Sequence, residues 1–403
     1  MEVTFEEKRA RDLIHPIDRT WEIWRYCPHR FAANIYLGCS HSCAYCFARS
    51  MRVDYNTRII VRVNAPELAR RELSRMKGRI QPVDLGSASD PYQPAERKYM
   101  LTRRVLEVFN EMNAPCFIVT KSDLVLRDVD LISEMHEKGL CTVAVTITTL
   151  NRGIKRLIEP YSSTTDARLK AIEELKDAGV KVPVKIQPIL PFLTDDEDEL
   201  RELVDAVADA GAVHVTSMVL KVSDTVWSNM RSIFERKFPD LLPKYEDLYF
   251  KRGEEDLSGY RRAPANYRRR VLEIVADQCK KRGLTFGTCK EGFFDLHTDV
   301  RCSGIHLKGR YVPTIENYWR ELTLRGVLRI EDAEEIAKGY KVHKKYLQEL
   351  KRIWMSGKLF SGVPGVLVER ADGEVVYRLC ESALRGSSSQ QVCAGGSHHL
   401  QQV

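Results

Sequence analysis

From residue 33 to residue 220 the apolar positions alternate between two periods. Short β-rich runs occupy residues 34–37, 82–85, 116–120, 142–147, 182–189 and 213–219, and each has the length and composition of a strand. Between them, near residues 66–77, 99–112, 128–138, 165–178 and 196–210, apolar residues recur three and four apart, the spacing of an amphipathic helix. Strand and helix in regular succession predict repeated βα units around a parallel sheet. Six strands joined by right-handed crossovers suit an α/β fold, a partial (β/α)6 barrel, in which functional groups gather at the C-terminal strand ends.

The pattern changes beyond this core. Residues 225–285 read as mostly helical, punctuated by Pro239, Pro243 and Pro264, and are expected to cap the open side of the barrel. Residues 331–356 read as one or two helices, and 365–378 as a hairpin turning at Asp372-Gly373. Residues 386–403 are rich in Ser, Gln, Gly and His without periodicity, the composition of a disordered tail. The expected organisation is an N-terminal extension over 1–32, the core over 33–224, a mainly helical capping region over 225–320, a small accessory region over 321–382, and the tail from 383.

Composition narrows the class. A chain of 403 residues, 43% apolar and 30% charged, can bury a full barrel-sized core and reads as a soluble enzyme. No apolar run reaches membrane-spanning length, and Met1-Glu2-Val3-Thr4-Phe5-Glu6-Glu7-Lys8 is too charged for a secretory signal, so the expected location is cytoplasmic and no membrane partner is expected. The net charge of +7 permits a phosphate-bearing substrate without demanding one. The basic stretches Arg261-Arg262, Arg268-Arg269-Arg270 and Lys280-Lys281-Arg282 read as solvated helix faces. The eleven cysteines are scattered through a long chain and are expected to be free thiols.

Three of those thiols fall within eight residues, Cys39-Ser40-His41-Ser42-Cys43-Ala44-Tyr45-Cys46. Their unequal spacing can wrap one compact metal centre but leaves it a ligand short. Thiolates select iron-sulfur clusters or zinc. A cubane of four irons held by three cysteines keeps one iron open to another molecule, whereas structural zinc wants four closed ligands, usually in two spaced pairs. No matching pair lies nearby; His41 or Cys27 would complete a zinc site, though neither has the expected spacing.

The arrangement C-x3-C-x2-C, with Tyr45 just before the last cysteine, resembles the signature of the radical S-adenosylmethionine (SAM) superfamily. Asn34-Ile35-Tyr36-Leu37-Gly38-Cys39, Ser87-Ala88-Ser89-Asp90-Pro91-Tyr92, Val119-Thr120-Lys121-Ser122, Ile147-Thr148-Thr149-Leu150 and Glu159-Pro160 resemble its spore photoproduct lyase-like branch, over residues 30–220. The resemblance implies a partial (β/α)6 barrel of the radical SAM type, with a helical extension and a small terminal hairpin. It also implies a 4Fe-4S cluster on Cys39, Cys43 and Cys46, SAM chelated at the open iron, and hydrogen abstraction by an adenosyl radical. A low-potential donor such as flavodoxin or ferredoxin would reduce the cluster.

Further roles follow by position. Ser89 and Asp90 can accept hydrogen bonds from the SAM amino group, with a Pro-rich turn as the plainer reading of their loop. Lys121 matches a lysine that approaches the SAM carboxylate, and Arg168 could clamp the same carboxylate. Thr146 or Thr148 could bond the ribose, and Gln187 lies near the expected adenine site. In one respect the sequence departs from the true lyases, which carry a hydrogen-donating cysteine in Cys-x-Ser-Asp. Here Ser87 stands in that place, and an alcohol O–H is too strong to give its hydrogen atom readily to a carbon radical. Asp90 and Tyr92 are the catalytic candidates, Tyr92 as a hydrogen relay. Cys279, Cys289 and Cys302 offer an auxiliary cluster, a replacement donor or ordinary buried thiols. Cys116, Cys141 and His214 read as core. The expected reaction is thus hydrogen abstraction from a substrate of the nucleic-acid class. A protein or small metabolite is the alternative, and a non-enzymatic zinc-binding nucleic-acid module belongs to a different class altogether.

Overall fold

The computed structural model describes residues 2–17, 26–27, 31–76, 81–256, 258–299, 301, 303–304, 307–309, 311–342, 344–371 and 373–380. The tail from residue 386, Cys302 and Asp372 lie outside them.

Eight strands form the central sheet: β1 (Ile14–Pro16), β2 (Phe31–Ala33), β3 (Val83–Leu85), β4 (Cys116–Thr120), β5 (Cys141–Thr146), β6 (Pro183–Ile189), β7 (His214–Val219) and β8 (Thr285–Thr288). In space they follow chain order, β1 at one edge and β8 at the other. Strands β2 to β8 run parallel, and β1 pairs antiparallel with β2. Parallel neighbours need a crossover. Helices α1 (Ala65–Arg75), α2 (Leu101–Glu111), α3 (Val129–Glu137), α4 (Thr165–Asp177), α5 (Glu197–Asp209) and α6 (Ala265–Lys281) supply one each. Thr164 and Asp196 cap α4 and α5 by accepting from first-turn amides.

The βα succession read from the sequence is therefore present, as an open, mostly parallel sheet. Two details differ. The first strand ends at Ala33, and Asn34 turns the chain out of the sheet, its side-chain oxygen accepting from the Ala88 amide at 2.9 Å. A seventh parallel strand, Thr285–Thr288, closes the stretch that reads as helical; four residues including Gly287 are too few to show a period.

The core lies where the helices cover the sheet. All six residues of β5 are buried, as are Val184, Ile186 and Ile189 on β6. Each such aliphatic side chain contributes about 1.5–3 kcal/mol by leaving water.

The chain divides into two compact units. The first, Met1–Lys290 with Asp295–Tyr311, contains the central sheet. The second, Glu291–Phe294 with Val312–Val403, has helices Ile315–Arg325, Ile330–Gly339 and Lys344–Met355 and a three-stranded antiparallel sheet. The hairpin expected near residues 365–378 is Val366–Ala371 paired with Glu374–Leu379. Trp354 anchors it, donating from Nε1 to Val375 O at 2.7 Å and meeting the Tyr377 ring edge-on. No helix of the described residues is long and apolar enough to cross a membrane.

Candidate active site

The cysteine loop hangs from a second, smaller sheet. Tyr36–Leu37 pairs antiparallel with Arg58–Arg62, which pairs parallel with Thr4–Lys8, so the loop over 38–57 leaves and returns on adjacent strands. At its start Gly38 has φ +104°, and a Cβ there would sit 2.7 Å from Tyr55 O. Only glycine fits that approach without strain. The Cys39 amide then donates to Tyr55 O at 3.1 Å, and the Ala44 amide to Ile158 O at 2.8 Å. Gln93 holds the loop from the far side, accepting from the Ser40 amide at 3.1 Å and donating to Gly38 O at 2.9 Å.

Cys39, Cys43 and Cys46 are free, with Cys43 buried and the other two partly so. Burial pushes the Cys43 thiol up to about 12, against the pull of the Lys121 ammonium, and raises Cys39 as well. Ligation at these positions must therefore release protons. Among the described residues no three His, Cys, Asp or Glu side chains converge as they do around a single ion. Three thiols on one short loop leave a four-ligand zinc site one ligand short, whereas a cubane held at three corners keeps one iron open.

A charged network lies behind the loop. Tyr45 donates its hydroxyl hydrogen bond to Glu159, which also accepts from Thr148 Oγ1 at 2.9 Å and pairs with Arg168. Glu159 and Arg168 are both essentially inaccessible. Burial alone would raise the Glu159 carboxyl, but Arg168, Lys121 and the Tyr45 hydroxyl hold it well below the usual carboxylate range. The remaining Arg168 donors go to Ser163 O at 3.0 Å, Thr146 O at 2.7 Å and Ser162 Oγ at 3.1 Å. Arg168, expected to clamp the SAM carboxylate, thus turns one nitrogen on Glu159 and its other donors on backbone and Ser162, and so fixes Glu159.

Lys121 follows β4 and its ammonium lies 5.6 Å from the Tyr45 ring centroid. Burial works against its charge, yet Cys43 and Glu159 outweigh it and hold the ammonium above its ordinary value. Asp90, buried, accepts from Thr120 Oγ1 (2.8 Å), the Lys121 amide (2.8 Å) and the Tyr92 amide (2.9 Å), with His41 Nδ1 at 3.4 Å. Burial raises its carboxyl, but His41 and those amides lower it further. Asp90 thereby ties the loop after β3 to the end of β4 and to the cysteine loop. Ser89 donates to Tyr36 O at 2.8 Å. Tyr92 is fully buried and donates to Asp128 at 3.1 Å, inside the wall. Gln187, on β6, keeps a buried Oε1 with no hydrogen-bond donor among the described residues. Ser87 is exposed and meets Asn34 Nδ2 at 3.3 Å.

The structure thus brings Tyr45, Lys121, Thr148 and Arg168 together around Glu159, and Ser89 and Asp90 onto the neighbouring loop. Glu159 itself, the hub, carries no assigned role in the sequence reading; its signal is an acidic residue nine positions before Arg168. Cys279 is buried on α6 and Cys289 is partly exposed just past β8.

The fold is thus an α/β sheet whose triple-thiol loop meets Lys121 at the C-terminal end of β4. Residues 33–216 match the family model described as Radical SAM superfamily. An uncharacterized protein of Mycobacterium tuberculosis is 32% identical over 290 residues, covering 70% of this chain and 82% of that protein. A protein of Pseudomonas phage M6 named radical SAM Nalpha-GlyT isomerase is 24% identical over 263 residues, 63% of this chain and 52% of its own length. Among solved structures, spore photoproduct lyase complexed with dinucleoside spore photoproduct superposes with TM-score 0.54 at 16% identity, over 71% of this chain and 81% of the other. The chain belongs to the radical SAM superfamily, and its fold is that of the spore photoproduct lyase-like branch.

Proposed function

We propose that Cys39, Cys43 and Cys46 hold a 4Fe-4S cluster by three corners and that SAM occupies the fourth, for hydrogen abstraction from a substrate of the nucleic-acid class. The observation that carries this reading is the triple-thiol loop, its Cys43 buried, facing Lys121 and the Glu159 hub. When bound, the reduced cluster supplies the electron that splits the SAM sulfonium bond.

The chain's own residues do the rest. Lys121 has an ammonium with no hydrogen bond or ion pair among the described residues and is charged at neutral pH, suited to a carboxylate as a point charge. Gln187 Oε1, buried and lacking a donor, suits the exocyclic amine of adenine. Thr148 holds Glu159, so Thr146 is the better placed of the two for the ribose. Asp90, with both oxygens occupied, positions the loop, and Ser89, which donates to Tyr36 O, offers its lone pairs to the SAM amine. Tyr92, bonded to Asp128, would relay hydrogen only through that partner. A low-potential donor such as flavodoxin or ferredoxin delivers the electron.

Two neighbours bear on substrate class, since one is a lyase complexed with a dinucleoside spore photoproduct and the other is named for Nalpha-GlyT. With Ser87 in the place of the lyase cysteine, reversal of a photoproduct by the lyase route is not the reaction proposed. The test is anaerobic incubation of reconstituted protein with dithionite and SAM, assaying 5'-deoxyadenosine with damaged DNA, RNA or a cell-extract peptide fraction. Several-fold stimulation by a nucleic acid is the expected outcome; stimulation by the peptide fraction alone would overturn the substrate assignment.

A further inference from the structure

Five lysine and arginine side chains are buried among the described residues: Lys155, Arg168, Lys185, Arg262 and Arg268. Four of them donate to named acceptors. Lys155 donates to Ser162 O at 2.6 Å, Arg168 to the Glu159 hub, Arg262 to Lys290 O at 2.9 Å and Arg268 to Ala263 O at 2.7 Å. Lys185 is the exception. It is 7% exposed, and among the described residues its ammonium makes no hydrogen bond and no ion pair; it lies over the Phe117 ring, whose centroid is 5.6 Å away and which packs against Ala144 and Leu307. A buried cation without an anion costs several kcal/mol, and a face-on aromatic ring returns about 2 kcal/mol at most. Among the described residues no carboxylate pairs with that charge, and Asp84, in register with Phe117, is the acidic residue on the same face.

The position of that charge is informative. Side chains two apart on a strand share a face, so Phe117, Val119 and Lys121 lie on one side of the sheet, the side on which Lys121 meets Tyr45 of the cysteine loop. Lys185 reaches Phe117 and is on that side too. In register it pairs with Thr146 on β5 and Thr216 on β7, and Thr216 pairs with Gly287 on β8. Lys121 stands one residue past the Thr120↔Val145 pair, so the row across the inner face reads Lys121, Thr146, Lys185, Thr216, Gly287. Two interstrand steps separate the lysines, about 10 Å. Thr146 and Thr216 flank Lys185 with hydroxyls, and Gly287 has no side chain to fill the row.

We infer that Lys185 is the substrate-anchoring residue of this site and that it takes a single negative charge, a carboxylate, carried by the substrate. A lone ammonium neutralises one charge. A phosphate monoester brings nearly two, and no second cation shares the interior position of Lys185 in this row except Lys121, two strands away. A phosphodiester is singly charged but sits within a backbone that would have to enter the sheet's inner face, whereas a terminal carboxylate can reach a buried point charge alone. This inference rests on the proposed function and narrows it: the nucleic-acid-class substrate carries a carboxylate in addition to its phosphodiesters.

The test uses the full-length protein and needs neither cluster nor SAM, so its failure is separable from failure of the radical chemistry. Thermal unfolding is measured in chloride, acetate and inorganic phosphate at equal ionic strength, for wild type, Lys185→Met and Lys185→Arg. Lys185→Met removes an uncompensated buried charge at nearly constant volume and should unfold about 2 °C or more above wild type in chloride. Acetate should raise the wild-type midpoint by a similar amount, more than phosphate does, and leave Lys185→Met unmoved; Lys185→Arg should keep part of the response. A lower midpoint for Lys185→Met together with no anion response in wild type makes Lys185 a structural cation over Phe117 and overturns the inference. A wild-type response to phosphate alone overturns the carboxylate assignment.

Discussion

Glu159 is the residue on which the electrostatics of the site turn. It is fully buried, and its charge is matched by Arg168 and Lys121 with hydrogen bonds from Tyr45 and Thr148. Removing one partner of a buried pair leaves the other uncompensated. Glu159→Gln should therefore cost about 3 kcal/mol or more in urea unfolding, and an unchanged midpoint would mean that the pair is solvated. The pH dependence has a definite sign. The folded carboxyl is depressed from 4.5 to about 2, so its contribution is present above 4.5 and is lost as pH falls through the folded value. Wild type should lose stability over that acid window more steeply than Glu159→Gln. None of this was readable from spacing, because Glu159 and Arg168 face each other only once the helix Arg152–Ile158 has returned the chain to the strand ends.

At the scale of elements, the cysteine loop is shaped by its attachments rather than by secondary structure of its own. Gly38 begins it in a left-handed conformation hard against Tyr55, and Gln93 and Asp90 grip it from the loop after β3. Gly38→Ala should add strain of about 1–3 kcal/mol and displace Cys39. Iron bound per chain after reconstitution should fall several-fold while the far-ultraviolet circular dichroism stays near wild type; full iron loading would show that the loop tolerates the shift. The three thiols and the βα succession were legible in the sequence because each is a local pattern. The strand Arg58–Arg62 was not, since its partners Thr4–Lys8 and Tyr36–Leu37 are remote or very short. Thr285–Thr288 was missed for the same reason, four residues being below the length at which alternation can be told from chance. Arg168 was correctly placed at the opening of α4, but which acceptor its guanidinium meets is a tertiary matter.

For the whole molecule, the sheet brings two charged centres to one face. The thiol loop and Lys121 stand over β4, and Lys185 stands two strands further along the same row. On the proposed reading this division gives the cofactor and the substrate separate anchors, rooted at backbone positions about 10 Å apart. The second unit, with its Trp354-anchored hairpin, contributes none of the residues assigned here. The central claim is the cluster with one corner left to SAM, and electron paramagnetic resonance of the anaerobically reconstituted, dithionite-reduced protein tests it most directly, with iron and sulfide counted on the same sample. About four irons and four sulfides per chain, with a reduced-cluster signal that shifts when SAM is added and is absent from Cys43→Ala, is the predicted result. A colourless protein holding one zinc, or a cluster whose signal SAM leaves unchanged, would contradict it.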